Sequence, residues 1–131
     1  MESRSDPSTY YGYLGMKLEE LGEGTSVFTM EAGPRLHNAG GVVHGGAVAS
    51  LADAAVAAAL STLVDLDEER IYTVEMKINY MAPVKEGKIR ALGRIIQRGR
   101  SVAVGETEVV NGEGKMLAKA MATYLIKPRH G

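Results

Sequence analysis

The sequence predicts an α+β fold, an antiparallel sheet of five to six strands wrapped around one long central helix. Three observations carry this expectation. Beyond Gly46, to about Val64, the chain has no Gly or Pro and is dominated by alanine, which marks one long helix. Four consecutive segments of strand character follow with short connections, and strands joined in this way pair antiparallel. Finally, 131 residues of which 45% are hydrophobic make one domain, residues 1–131, around a single core.

Taken in order, residues 1–8 are polar and expected to fray. "TYYGYLGMKLEEL" supplies a short helix or turn and then a first strand. "TSVFTMEA", residues 25–32, sets Ser26, Phe28 and Met30 against Val27, Thr29 and Glu31, the alternation of a half-buried strand. "GPRLHNAGGVVHGG" is too irregular for either period and must hold unusual backbone angles. The alanine-rich helix is apolar almost all round, so it belongs inside the curve of the sheet, where small side chains let the strands come close. "IYTVEMKINYM", "GKIRALGRIIQRG", "SVAVGETEVVNGEG" and "KMLAKAMATYLI" are the strands behind it, with "NGEG" at 111–114 as a hairpin connection. A sheet so built keeps an open edge, which favours pairing of subunits.

Fifteen Lys+Arg against sixteen Asp+Glu, a formal net charge of −1, leave no electrostatic footprint for nucleic acid or an anionic membrane. The absence of Cys removes disulfides and thiol nucleophiles and suits a reducing compartment. "MESRSDPSTYYGYLGM" has no apolar run of signal-peptide type, and Ala54 to Leu60 is far too short to span a bilayer. A cytoplasmic protein with neither nucleic-acid nor membrane partners is expected.

The chemistry concentrates ahead of the helix, in "HNAGGVVHGGAVASLAD". A helix N-terminus offers unpaired N–H groups and the positive end of the macrodipole, and Gly45 and Gly46 let a ligand approach them. Such a site binds an anion or stabilises an oxyanion that develops during acyl transfer. His44 and Asn38 add polar side chains nearby. Asp53 has Ala49, Ser50, Val56 and Ala57 as helix neighbours, so it is a carboxylate with one polar companion. It is either a structural acid bonded to Ser50 or a strand backbone, or a functional one. His37 and His44 lack further ligands at a zinc spacing, so no metal is expected. No G-x-G-x-x-G fingerprint lies between a strand and this helix, which speaks against a dinucleotide.

"NAGGVVHGGAVASLAD" resembles the signature of hotdog-fold acyl-CoA thioesterases of the phenylacetic-acid-degradation, PaaI-like, branch. That pattern is Asn, a Gly three residues on, His-Gly-Gly, and an acid nine residues after the His. Asn38, Gly41, His44, Gly45, Gly46 and Asp53 fall in place. "TVEMKINYMAPV" and "QRGRS" extend the resemblance over roughly residues 25 to 127. Relatives carry Asp or Glu at the position of Asp53, and Ser or Thr at that of Thr73. The resemblance implies the hotdog fold and hydrolysis of a thioester to a free acid and coenzyme A.

In that reaction the Gly45 N–H would hold the carbonyl oxygen as it gains charge. Asp53 would act as general base toward water, or attack directly to give a mixed anhydride. Thr73 would hold the water, Asn38 orient water or thioester, and His44 bond the loop and polarise the site. No cofactor is implied beyond coenzyme A as part of the substrate. Arg98, Gly99, Arg100 and Ser101 form either a clamp for its phosphates or a solvated hairpin tip. Gly45 and Asp53 are about 12 Å apart along a helix, so either the helix starts later or Asp53 serves a neighbouring subunit. The resemblance favours the second, with a homodimer as the minimal unit and a dimer of dimers, a homotetramer, as the assembly. Two other functions stand beside this one: a non-catalytic acyl-CoA-binding hotdog module, and a hotdog dehydratase or hydratase, whose His-plus-acid arrangements are not found here. The composition fits aryl-acetyl and medium-chain acyl groups equally.

Overall fold

The computed structural model describes residues 8–129. The elements run α1 (Tyr10–Leu14), β1 (Lys17–Gly22), β2 (Thr25–Ala32), α2 (Gly45–Ser61), β3 (Glu69–Tyr80), β4 (Gly87–Arg98), β5 (Val102–Val110) and β6 (Met116–Pro128), with a 3-10 turn over Pro34–Leu36. Residues 1–7 of the segment expected to fray lie outside the described residues. All six strands join one antiparallel sheet in the order β1-β2-β4-β5-β6-β3. It is the hotdog arrangement, with α2 packed against every strand.

Helix and sheet approach closely because both surfaces are small. Ala52, Ala55, Ala58 and Ala59 are fully buried on the helix, with Leu51, Val56 and Leu60 between them. On the sheet side, a Cβ at Gly93 would stand 2.4 Å from the Ala55 carbonyl oxygen, and one at Gly105 would stand 2.6 Å from Val56. The helix backbone is also bonded sideways. Buried Ser26 donates to the Ala55 carbonyl at 2.6 Å and buried Thr107 to the Ala52 carbonyl at 2.9 Å. Each hydroxyl thereby enters the core with a partner.

The helix is one residue longer at its start than the Gly46–Val64 expectation and ends at Ser61, where Thr62 turns back to the last helical carbonyls. Strand β3 departs from simple alternation. Thr73 pairs with Tyr124 and Met76 with Ala122, and the register shifts between Thr73 and Glu75. A bulge at Val74 absorbs the odd residue, so Thr73 faces the helix together with Met76, Ile78 and Tyr80. Without it, Glu75 and Lys77 would share Thr73's inward face. The "NGEG" connection turns on Asn111, whose side-chain oxygen accepts from Glu113 and Lys115.

The two sheet edges differ. Strand β1 is six residues long, carries Lys17, Glu19 and Glu20, and is bulged. Strand β3 has twelve residues, one unpaired side, and Tyr72 and Val74 about half exposed. Among the described residues no helix is long and apolar enough to cross a membrane.

Candidate active site

Helix α2 leaves one narrow stripe partly exposed, through Gly46, Ala49, Ser50 and Asp53. These positions are three and four apart, so they line one side of the helix. Asp53 is the single acid of α2 and it lies on that stripe.

Two strands reach under Asp53 to hold it. Thr73 of β3 donates to its carboxylate, with Oγ1 2.9 Å from Oδ1 and 3.2 Å from Oδ2. The Tyr124 hydroxyl of β6 stands between the Asp53 backbone carbonyl and Oδ1 and donates to the acid there. Burial, and then the charge of Asp53, push the Tyr124 phenol far above its ordinary value, so it stays a donor. Oδ1 therefore carries most of the holding, and Oδ2 is the oxygen left for chemistry. Tyr124 was not among the residues singled out in the sequence. Its signal was parity: on β6 the inward positions are Ala118, Ala120, Ala122, Tyr124 and Ile126, and only Tyr124 is polar.

At the start of α2 nearly every donor is used. The His44 N–H donates to the Leu36 carbonyl at 2.7 Å, and the Ala47 N–H returns to His44 at 2.9 Å. His44 is the N-cap: its Nδ1 accepts the Gly46 N–H at 2.8 Å. The Gly45 N–H has no partner among the described residues, and it lies at the positive end of a seventeen-residue helix. Beside it opens a cleft of about 350 Å³ walled by Val42, Val48, Tyr80, Met81, Pro83 and Leu117.

Asn38 organises the loop that delivers His44. Its side-chain oxygen accepts the Gly40 N–H at 2.9 Å, and its N–H donates to the Val42 carbonyl at 2.7 Å. Gly41 takes a left-handed φ of 82° between them. His37 donates through Nε2 to the Lys85 carbonyl at 2.7 Å, tying this loop to the one after β3. No cluster of three or more His, Cys, Asp or Glu that could hold a metal occurs among the described residues.

The hairpin between β4 and β5 sits at the other end of α2. Arg98 donates to the carbonyls of Leu63, Gly99 and Arg100 and meets Glu69 at 3.5 Å, so its guanidinium joins the end of the helix segment to β3. The Gly99 N–H donates to the Val102 carbonyl at 2.8 Å. The Arg100 side chain and the Ser101 hydroxyl make no bond among the described residues. The structure therefore brings Asp53 and Thr73 together, and His44 and Gly45 together, with two helical turns between the pairs.

The fold that carries these residues has known counterparts. The Thioesterase superfamily model matches residues 40–118, the stretch from the glycine loop to the start of β6. The conserved protein PA5202 of Pseudomonas aeruginosa superposes with a TM-score of 0.86 at 35% identity, over 91% of this chain and 94% of that one. A mutant of the phenylacetic acid degradation protein PaaI from Thermus thermophilus gives 0.81 at 26% identity, over 88% and 96%. The medium/long-chain acyl-CoA thioesterase YigI of Escherichia coli is 27% identical over 86% of this chain and 82% of its own length. The chain belongs to the thioesterase superfamily and is a hotdog-fold thioester hydrolase.

Proposed function

We propose that the chain hydrolyses acyl-coenzyme A thioesters to the free acid and coenzyme A at a site shared between two subunits. The observation that carries this reading is Asp53, the one carboxylate of the central helix, held by the Thr73 and Tyr124 hydroxyls on the partly exposed stripe. Water attacks the thioester carbonyl carbon while Asp53 Oδ2 takes its proton, and Thr73, which donates to Asp53, accepts from the same water through a lone pair. The tetrahedral oxyanion rests on Gly45 N–H; its collapse breaks the C–S bond, and the proton held by Asp53 passes to the departing thiolate, which restores the carboxylate. The same carboxylate oxygen can instead attack directly, giving an anhydride that water then cleaves. Neither course asks for a metal or redox group.

The late-start alternative for the helix is removed by the structure, since α2 begins at Gly45. Gly45 and Asp53 of one chain thus remain about 12 Å apart. The long, open β3 edge suits strand pairing with a second copy, and we infer a homodimer in which each Asp53 serves the partner's Gly45. Two such dimers make the proposed tetramer. At the β4–β5 hairpin, Arg100 and Ser101 are the groups left to meet the coenzyme's phosphates. A chain without cysteine is consistent with a cytoplasmic home.

Incubating the protein with aryl-acetyl and straight-chain acyl-CoAs and a thiol reagent tests the proposal. Steady release of thiol supports it. Saturable acyl-CoA binding without turnover would favour the non-catalytic binding module instead.

A further inference from the structure

Tyr80, the last residue of β3, was not among the residues singled out in the sequence and has no part in the steps above. Its hydroxyl donates to the Gly45 carbonyl at 2.7 Å, and its ring lies 3.2 Å from where a Cβ of Gly45 would stand. A side chain at this position would push the ring away by a few tenths of an ångström. Helix geometry already gives that carbonyl an acceptor role toward the next turn, so the tyrosine's bond is a second one. It is more than is needed to satisfy the carbonyl.

The Gly45–Gly46 peptide links this bond to His44. Its oxygen accepts from Tyr80, and its nitrogen, the Gly46 N–H, donates to His44 Nδ1 at 2.8 Å. Hydrogen bonds at the two ends of one amide polarise it in the same direction, so each strengthens the other. An Nδ1 that accepts leaves the proton of the neutral ring on Nε2. His44 then offers an N–H to the site rather than a lone pair. Desolvation raises the Tyr80 phenol above its ordinary value, so it remains the donor in this chain of bonds.

We propose that Tyr80 is a positioning residue of the thioester site: through the Gly45–Gly46 peptide it fixes the Gly45 N–H and holds His44 as the Nε2–H tautomer. The proposal rests on the thioesterase reading for its kinetic consequence but not for its structural one. It also explains why β3 is bulged. Val74 lets one strand place Thr73 under the acid and Tyr80 over the helix start, both on the inward face.

Tyr80→Phe keeps the ring and removes the hydroxyl. On acyl-CoA it should lower kcat about five- to tenfold and leave KM within about twofold, because the lost contact serves the transition state. In a His44→Ala background the same change should cost less than it does in the parent, since one of its two targets is gone. Nitrogen NMR on labelled histidine should show Nε2–H for His44 in the parent and a mixture of tautomers in Tyr80→Phe, with faster exchange of the Gly46 amide. An unchanged His44 signature in Tyr80→Phe, or an equal kinetic cost with and without His44, would overturn the proposal. The nitrogen and exchange readings need no substrate. A parent protein that turned over no thioester would therefore sink the functional reading while the role of Tyr80 was still decided.

Discussion

The loop leading into α2 and the tip between β4 and β5 look alike in sequence, each combining glycine with cationic or imidazole side chains. In the structure they differ in what they leave over. The loop spends its donors on itself: Asn38 closes it, His37 ties it to Lys85, and His44 caps the helix, yet the Gly45 N–H keeps no partner among the described residues. The tip spends its Arg98 guanidinium on three carbonyls and Glu69, and leaves the Arg100 and Ser101 side chains without a partner among the described residues. The loop keeps one backbone donor at the positive end of a helix, while the tip keeps a side-chain cation and a hydroxyl beside a guanidinium that acts as a joint.

The largest expected effect comes from Asp53, whose Oδ2 accepts only the longer of the two Thr73 contacts, at 3.2 Å. Asp53→Asn should lower kcat by at least about a hundredfold while acyl-CoA still binds and the protein still folds. Steady-state hydrolysis beside a binding titration checks this. Parent-like turnover in the folded variant would end the mechanism. The hydroxyls beneath the acid should matter less: Thr73→Ala should cost roughly tenfold in kcat, because Asp53 alone still holds a water imperfectly.

At the hairpin the comparison predicts a split between neighbours. Arg98→Ala should cost about 1.5 kcal/mol of stability through its lost bonds to carbonyls, read from denaturant unfolding. Arg100→Ala should leave stability alone and raise KM for acyl-CoA a few-fold, with no change toward a pantetheine thioester that lacks the phosphates. The reverse pattern would make Arg98 the ligand and Arg100 the strut. The smallest effect concerns Tyr124. Its folded pKa lies above its unfolded value of about 10, so the stability linked to this proton is whole below pH 10 and falls as pH rises past it. Tyr124→Phe should flatten the loss of thermal stability between pH 10 and 11 relative to the parent. Equal slopes would mean that the phenol is not held in the way described.

Much of this was legible in the sequence where the cause was local. The helix declared itself through alanine and the absence of Gly and Pro, and the strands through alternation. Asp53 stood out because, Ser50 apart, its helix neighbours are apolar. What stayed hidden depends on contacts across long stretches of chain. Tyr124 meets Asp53 across 71 residues and Tyr80 meets Gly45 across 35, and neither pairing has a local signature. The bulge at Val74 is hidden for a related reason: it follows from which β6 residues face the helix, a property of the register. Arg98 could not be read as a strut because one of its partners is a backbone carbonyl, that of Leu63, on another element.

A site split between chains is the central claim, and complementation tests it most directly. Asp53→Asn and Asn38→Ala, each expected to be inactive alone, are co-expressed with separable tags and the mixed dimer is isolated beside the two parents. If Asp53 serves the partner's Gly45 loop, each mixed dimer holds one site with both defects and one with neither. Random pairing makes half the dimers mixed, so the unsorted population should recover about a quarter of parent activity, all of it in the mixed fraction. Mixed dimers no more active than either variant alone would place the whole site in one chain and contradict the account.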